Sequence, residues 1–241
     1  MSINLPGWLA EVVDWLGFNW PDIDEDELRE AADGLRAYAQ ECEDSLDATS
    51  GVVGNDLEQV YQAQSYGALA ELWGQQSSSH MRALIDGCEL LADGLDVAAV
   101  AVEGMKTRCL TQLGIAAGQM TAALAASAAT FGLASGTAVA TQQLQRRLVN
   151  EIVQRFEEEA IGALVDGVIG PVQDQILTAV ERLAYEEAAD IAAGEPLPRL
   201  QLRTDEMRAL GGTILGQADG NLTAGEQFAS RVSGLTFATG G

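Results

Sequence analysis

The stretch Asp24–Val53, DEDELREAADGLRAYAQECEDSLDATSGVV, decides the fold. Leu28, Leu35, Cys42 and Thr49 recur every seven residues, and Ala32, Ala39, Leu46 and Val53 fall between them. That alternation of three and four lays one apolar seam along a helix of about seven turns, with the charges on the opposite face. A strand would alternate with a period of two, and nothing here does. Asp24 stands where an N-cap belongs, and Glu27 three residues later has the spacing of a capping box. The acids around it suit the positive end of the helix.

Working outward, the seam breaks around Gly51–Asp56 or near Tyr61-Gln62-Ala63-Gln64-Ser65. A second helical pattern then runs through Tyr66, Leu69, Trp73, His80, Leu84, Cys88, Leu91, Leu95, Ala98, Val102 and Met105. Two long helices joined by a short break form an antiparallel hairpin, here about Asp24–Ser50 against Tyr66–Met105. Trp73 is expected to be buried in it with Leu35, Cys42, Leu84 and Leu91. Ahead of the hairpin, Trp8, Leu9, Val12, Trp15 and Leu16 fall at helical spacing and predict a short helix on the main body.

No charged residue occurs between Arg108 and Arg146. The window Met120–Ala140 is rich in Ala, Ser, Thr and Gly, whose small side chains favour close helix packing over insertion in a bilayer. It is read as a buried central helix, with membrane entry of residues 109–145 as the alternative. A helix about Thr137–Val168 follows, then a break at Gly170-Pro171 and a helix about Val172–Ala193. Gly194-Glu195-Pro196-Leu197-Pro198 reads as a linker, and Thr204–Gln217 and Thr223–Ser233 as two short capped helices beyond it. The fold class is therefore all-α: a long antiparallel hairpin extended into an elongated helix bundle (residues 1–193). A linker and short helical tail (residues 194–241), expected to pack loosely, complete it.

Of the 241 residues, 36 are Asp or Glu and 13 are Lys or Arg, giving a formal charge of -23. Phosphate binding needs clustered cations, so nucleic acid is excluded as a partner, and anionic membrane surfaces are disfavoured. Cys42, Cys88 and Cys109 form no CxxC, which gives neither a disulfide framework nor a zinc site. Met1–Leu9 lacks the basic and long apolar segments of a Sec signal.

Chemistry finds little to work with. His80 is the only histidine, so a triad or a histidine metal site is hard to assemble, and its place between Trp73 and Leu84 indicates packing or a cap more readily than catalysis. Asp22, Asp24, Asp26 and Asp33 match some positions of a calcium loop, but the sixth, where glycine is required, is Glu27. Adjacent carboxylates such as Glu157-Glu158-Glu159 and Glu186-Glu187 read as solvated helix faces. No phosphate-binding glycine motif or nucleophile elbow occurs. The expectation is a non-enzymatic protein with no cofactor and no metal.

Residues Val60-Tyr61-Gln62-Ala63-Gln64-Ser65-Tyr66-Gly67-Ala68-Leu69-Ala70-Glu71-Leu72-Trp73, with Ser78–Arg82, Leu90–Asp96 and Met105-Lys106, resemble a known family. So do Leu5-Pro6-Gly7-Trp8-Leu9 and Trp20-Pro21 before an acid-rich helix. The resemblance, over about residues 1–193, is to WXG-like N-terminal domains of actinobacterial polymorphic toxins exported by type VII (ESX) secretion, the CpnT-like group. It implies a helical targeting or adaptor domain that binds a small WXG-type helical protein or the secretion apparatus, alone or as an oligomer. It also implies residence in the cytoplasm before export, with toxin activity in a separate domain.

The family's Trp-x-Gly turn appears here as Tyr61-Gln62-Ala63, which makes Tyr61, Gln62, Ala63, Tyr66 and Trp73 the candidate partner-binding residues. The family's Tyr-x-x-x-Asp/Glu export element has only an imperfect counterpart: Tyr185 is followed by Asp190, one residue late. A membrane-active protein using residues 109–145 and a helical scaffold unrelated to secretion remain the alternatives.

Overall fold

The computed structural model describes residues 2–62, 64–129, 135–156, 158, 162, 170–172 and 201–238. A 3-10 turn, Gly7–Leu9, leads into α1, Ala10–Leu16, and then α2, Glu25–Gly51. A π-helical turn at Val52–Asp56 and α3, Leu57–Val60, precede strand β1, Tyr61–Gln62. The second arm is α4, Gln64–Gln75, a π turn at Gln76–Met81, and α5, Arg82–Ala129. Helix α6, Ser135–Phe156, strand β2, Gln201–Leu202, and α7, Thr204–Ser233, complete the described elements. The chain is all-α apart from one two-residue antiparallel ladder, in which Tyr61 pairs with Leu202 and Gln62 with Gln201.

The chain divides into two compact units. The first comprises residues 1–30, 94–166 and 236–241. Its core is Leu9, Val12, Val13, Leu16 and Phe18 against Val102, Met105, Cys109, Leu113 and Ala116 of α5 and Val149 of α6. Burying a leucine such as Leu9, Leu16 or Leu113 is worth roughly 1.5–3 kcal/mol each, so this apolar triangle holds α1 in place. The short N-terminal helix thus packs as its spacing predicts, except that Trp8 is 67% exposed. Gly17 ends α1 in the left-handed region at φ 60°, its N–H bonding the carbonyls of Val13 and Asp14, a backbone state glycine adopts without strain.

Asp24 caps α2 as the sequence predicts, its Oδ1 accepting the N–H of Asp26 at 2.9 Å and of Glu27 at 3.3 Å. The other half of the capping box is not made. The Asp24 N–H donates to the Phe237 carbonyl at 3.0 Å, and the Glu27 carboxylate accepts from the Phe237 N–H and the Thr236 hydroxyl. Residues near the C-terminus therefore take the role the box reserves for Glu27 itself. Asp24, one of the acids that resemble a calcium loop, thus has a structural role as the cap.

The second unit comprises residues 31–93 and 167–235. Ala32, Leu35, Ala39, Cys42, Leu46 and Thr49 of α2 are all buried, following the seam read from the sequence. Arg36 bonds Asp93 at 2.8 Å, Arg82 bonds Glu43 at 2.7 Å, and Trp73 bonds Ser50 at 3.1 Å. Partner numbers fall along the second arm as they rise along α2, which is the antiparallel hairpin.

The facing seam differs from the expected one. Leu84 and Leu91 are only half-buried, whereas Ile85, Ala92 and Ala99 are 3% exposed or less. Further along α5, Val102 and Met105 are buried as the pattern predicts, and a π turn at Gln76–Met81, which adds a residue to the helical turn, precedes the altered positions.

Two further expectations are corrected. Thr204–Ser233 is one continuous helix and not two. Thr121, Ala122, Ala125, Val139 and Ala140 are exposed, so the window Met120–Ala140 is not buried at these positions, whereas Cys109, Leu113 and Ala116 earlier in the uncharged run are fully buried. No described helix is long and apolar enough to cross a membrane. The linker at 194–198 and the helix about Val172–Ala193, Val172 excepted, lie outside the described residues.

Candidate functional site

In the second unit the hairpin end is built around two tyrosines. The Tyr66 hydroxyl donates to the Val53 carbonyl at 3.0 Å and lies 3.4 Å from the Gly54 carbonyl, which ties the start of α4 to the π turn after α2. Its ring meets Tyr61 edge to face, with centroids 6.5 Å apart and planes at 75°. The Tyr61 hydroxyl and Ser65 Oγ are hydrogen-bonded. Burial, and then the negative charge of Glu58, push the Tyr66 phenol above its ordinary range.

The backbone of the turn is also held. Besides the two-residue ladder, the Arg203 N–H donates to the Val60 carbonyl at 3.2 Å. Ala63 lies outside the described residues, as do Tyr185 and Asp190. Of the candidate partner-binding residues, the structure thus brings Tyr61 and Tyr66 together at the turn, with the Gln62 backbone in the ladder.

Trp73 takes another role. It is half-buried and packs on the cluster of Ala39, Cys42, Leu46 and Ile85. Its Nε1 donates to Ser50 Oγ at 3.1 Å. Just beyond, the hydroxyls of Ser78 and Ser79 return to the carbonyls of Gly74 and Gln75 at 2.6 and 2.5 Å, the local back-bonding that bends a helix. His80 Nδ1 contacts Ser79 Oγ at 3.0 Å. On the outer side of α4, Leu69 is 41% exposed beside exposed Gly67, Ala68 and Glu71. This apolar spot is bracketed by the two π turns, features enriched at functional positions.

Sequence reading missed a feature of the first unit. Lys106 Nζ bonds Glu25 Oε2 at 2.7 Å and the Ile23 carbonyl at 2.6 Å, with both charged side chains fully buried. Burial alone would raise the Glu25 carboxyl, but Lys106, the Ile3 N–H and its own N–H together hold it below the ordinary value. The available signal was positional: Lys106 follows Ile85, Ala92 and Ala99 in the seven-residue repeat, the one charge on that seam.

Residues 4–156 match the family described as WXG100 like domain, and the chain belongs to that family. No curated protein and no solved structure matches the chain. The matched segment contains α1 through α6 with the tyrosine turn, whereas Leu202, which pairs with Tyr61, lies beyond it.

Proposed function

Starting from membership of the WXG100-like family, we propose that the chain is a non-enzymatic targeting or adaptor domain of a type VII secretion substrate. It acts by helix–helix protein binding and stands closest in kind to the N-terminal domains of CpnT-like polymorphic toxins. Its partner is a small WXG-type helical protein or a component of the secretion apparatus, met in the cytoplasm before export. The observation that carries this reading is the hairpin end: Tyr61 and Tyr66 meet edge to face there, and the apolar Leu69 on the same helix as Tyr66 is left exposed. An aromatic turn with a small-residue helix face suits the close approach of a partner helix.

Site-specific photocrosslinking tests it. Benzoylphenylalanine placed at Leu69 in the full chain, expressed in the native host, forms an adduct with a small helical protein or a secretion component. The same probe at Ala218, an exposed position on α7, does not. Adducts of equal yield at both positions, or none at Leu69, reject the reading.

A further inference from the structure

Within the first unit, α5 and α6 leave a groove of about 580 Å³ between them. Its floor is apolar: Met105 and Ala101 from α5, and Leu148, Ile152 and Phe156 from α6. Val100 at its edge is 61% exposed and extends the apolar surface of the trough outward. Gly104 opens the middle, and a Cβ placed there would meet nothing within 4 Å. The groove follows α5 from Val100 to Gln112, about 18 Å at 1.5 Å per residue, or between three and four turns of a third helix.

The rims carry positive charge. Arg108 is exposed and has no carboxylate partner among the described residues, and Arg155 stands on the other side, paired with Glu151 at 2.7 Å. In a chain of formal charge -23, residues 104–150 contain no Asp or Glu at all. An apolar trough between cationic rims matches one ligand chemistry best, a helix with an apolar stripe flanked by carboxylates. An anionic bilayer fits less well, because such surfaces are read by clusters of basic residues on a convex or flat face, and Glu151 interrupts this one.

We propose that the α5–α6 groove is a docking site for an acidic amphipathic helix of a partner protein. Its apolar stripe lies on Met105, Leu148 and Ile152, its closest approach falls over Gly104, and its carboxylates pair with Arg108 and Arg155. This rests on the reading of the chain as a docking domain but uses a surface separate from the tyrosine turn.

The test measures fluorescence anisotropy of three labelled synthetic helical peptides against the full chain. They share one apolar stripe of Leu and Ala, and their flanking positions carry Glu, Gln or Lys. The Glu peptide binds, more weakly as salt rises, and the Lys peptide does not. Arg108→Glu weakens the Glu peptide about tenfold and gives the Lys peptide measurable affinity. Gly104→Leu fills the trough and abolishes binding of the Glu peptide, with the helical circular dichroism retained. Tyr61→Ala leaves all three unchanged. Equal affinity for Glu and Lys peptides, or indifference to both Arg108→Glu and Gly104→Leu, overturns the proposal. So does Arg108-dependent flotation with phosphatidylglycerol vesicles, or self-association abolished by Arg108→Glu, when the Glu peptide does not bind. Loss of Leu69 crosslinking with groove binding intact would instead count against the tyrosine turn alone.

Discussion

Lys106 Nζ sits 2.7 Å from Glu25 Oε2, and neither side chain has any exposed surface. The same ammonium holds the Ile23 carbonyl, and the same carboxylate accepts the Ile3 N–H. Three points along the N-terminal segment are thereby tied to α5 through one pair of charges. Desolvating two ions is expensive, and the interaction is favourable only while both are present and the remaining polar atoms are bonded.

Lys106→Met is therefore expected to destabilise the protein by about 3–5 kcal/mol, since it leaves a buried carboxylate without its cation. Replacing both residues, Lys106→Met with Glu25→Leu, recovers most of that loss, because no charge then remains in the core. Urea denaturation of the two variants makes the comparison. A single variant as stable as the wild type would contradict the pairing.

The pair also sets a pH dependence. The Glu25 carboxyl is held below its ordinary value of 4.5, so its contribution is complete above that value and is lost as the pH falls from there through the lower folded value. Stability of the wild type should decline with acidification in that range more steeply than stability of Glu25→Gln, which has no such proton to take up. Parallel declines, measured by denaturation at successive pH values, would contradict the assignment.

In the second unit, Tyr38 and Phe228 stack with centroids 5.9 Å apart, and each ring lies over a glycine of the other's helix, Phe228 over Gly34 and Tyr38 over Gly225. Burial, and then the Cys42 thiol, push the Tyr38 phenol up to about 12. Its contribution is thus present below the ordinary value of 10.0 and lost as pH rises through the folded one. Phe228→Ala should cost about 1–2 kcal/mol, less than for a fully buried ring, and return Tyr38 toward ordinary ionisation. Ultraviolet titration of tyrosinate together with thermal melting checks both parts.

No residue of α7 is fully buried, although the helix and the strand before it make defined contacts. Deleting Glu195–Gly241 is expected to leave α1 to α6 helical by circular dichroism while lowering the melting temperature by several degrees. It removes the stacking on Tyr38 and frees the backbone of Tyr61 and Gln62. Loss of cooperative melting on that deletion would show that the tail is part of the core.

The α2 seam was legible because Leu, Ala and Cys repeat there through an uninterrupted α-helix. The second-arm seam was misread by one position at Leu84, Leu91 and Ala98, while Val102 and Met105 are buried as expected. Large residues such as Leu84 and Leu91 drew the reading, but the fully buried positions are the small Ala92 and Ala99, which a pattern of large apolar residues does not single out. Trp73 was expected deep in the hairpin and is half-buried, its indole N–H turned to Ser50. The tyrosine turn was found through family likeness, because an aromatic at a helix break has no periodicity to betray it. The Phe237 contact with Asp24 and Glu27 joins residues more than two hundred positions apart, which no local pattern can anticipate.

The central claim is that the chain works by docking another protein at the tyrosine turn for type VII secretion. The most direct measurement is quantitative mass spectrometry of proteins retained by the tagged chain in its native host, comparing wild type with a folded Tyr61→Ala variant. The account predicts that a small WXG-type helical protein or a secretion component is enriched by the wild type and depleted several-fold by Tyr61→Ala. Retention of neither by the wild type, or equal retention by both proteins, would contradict it.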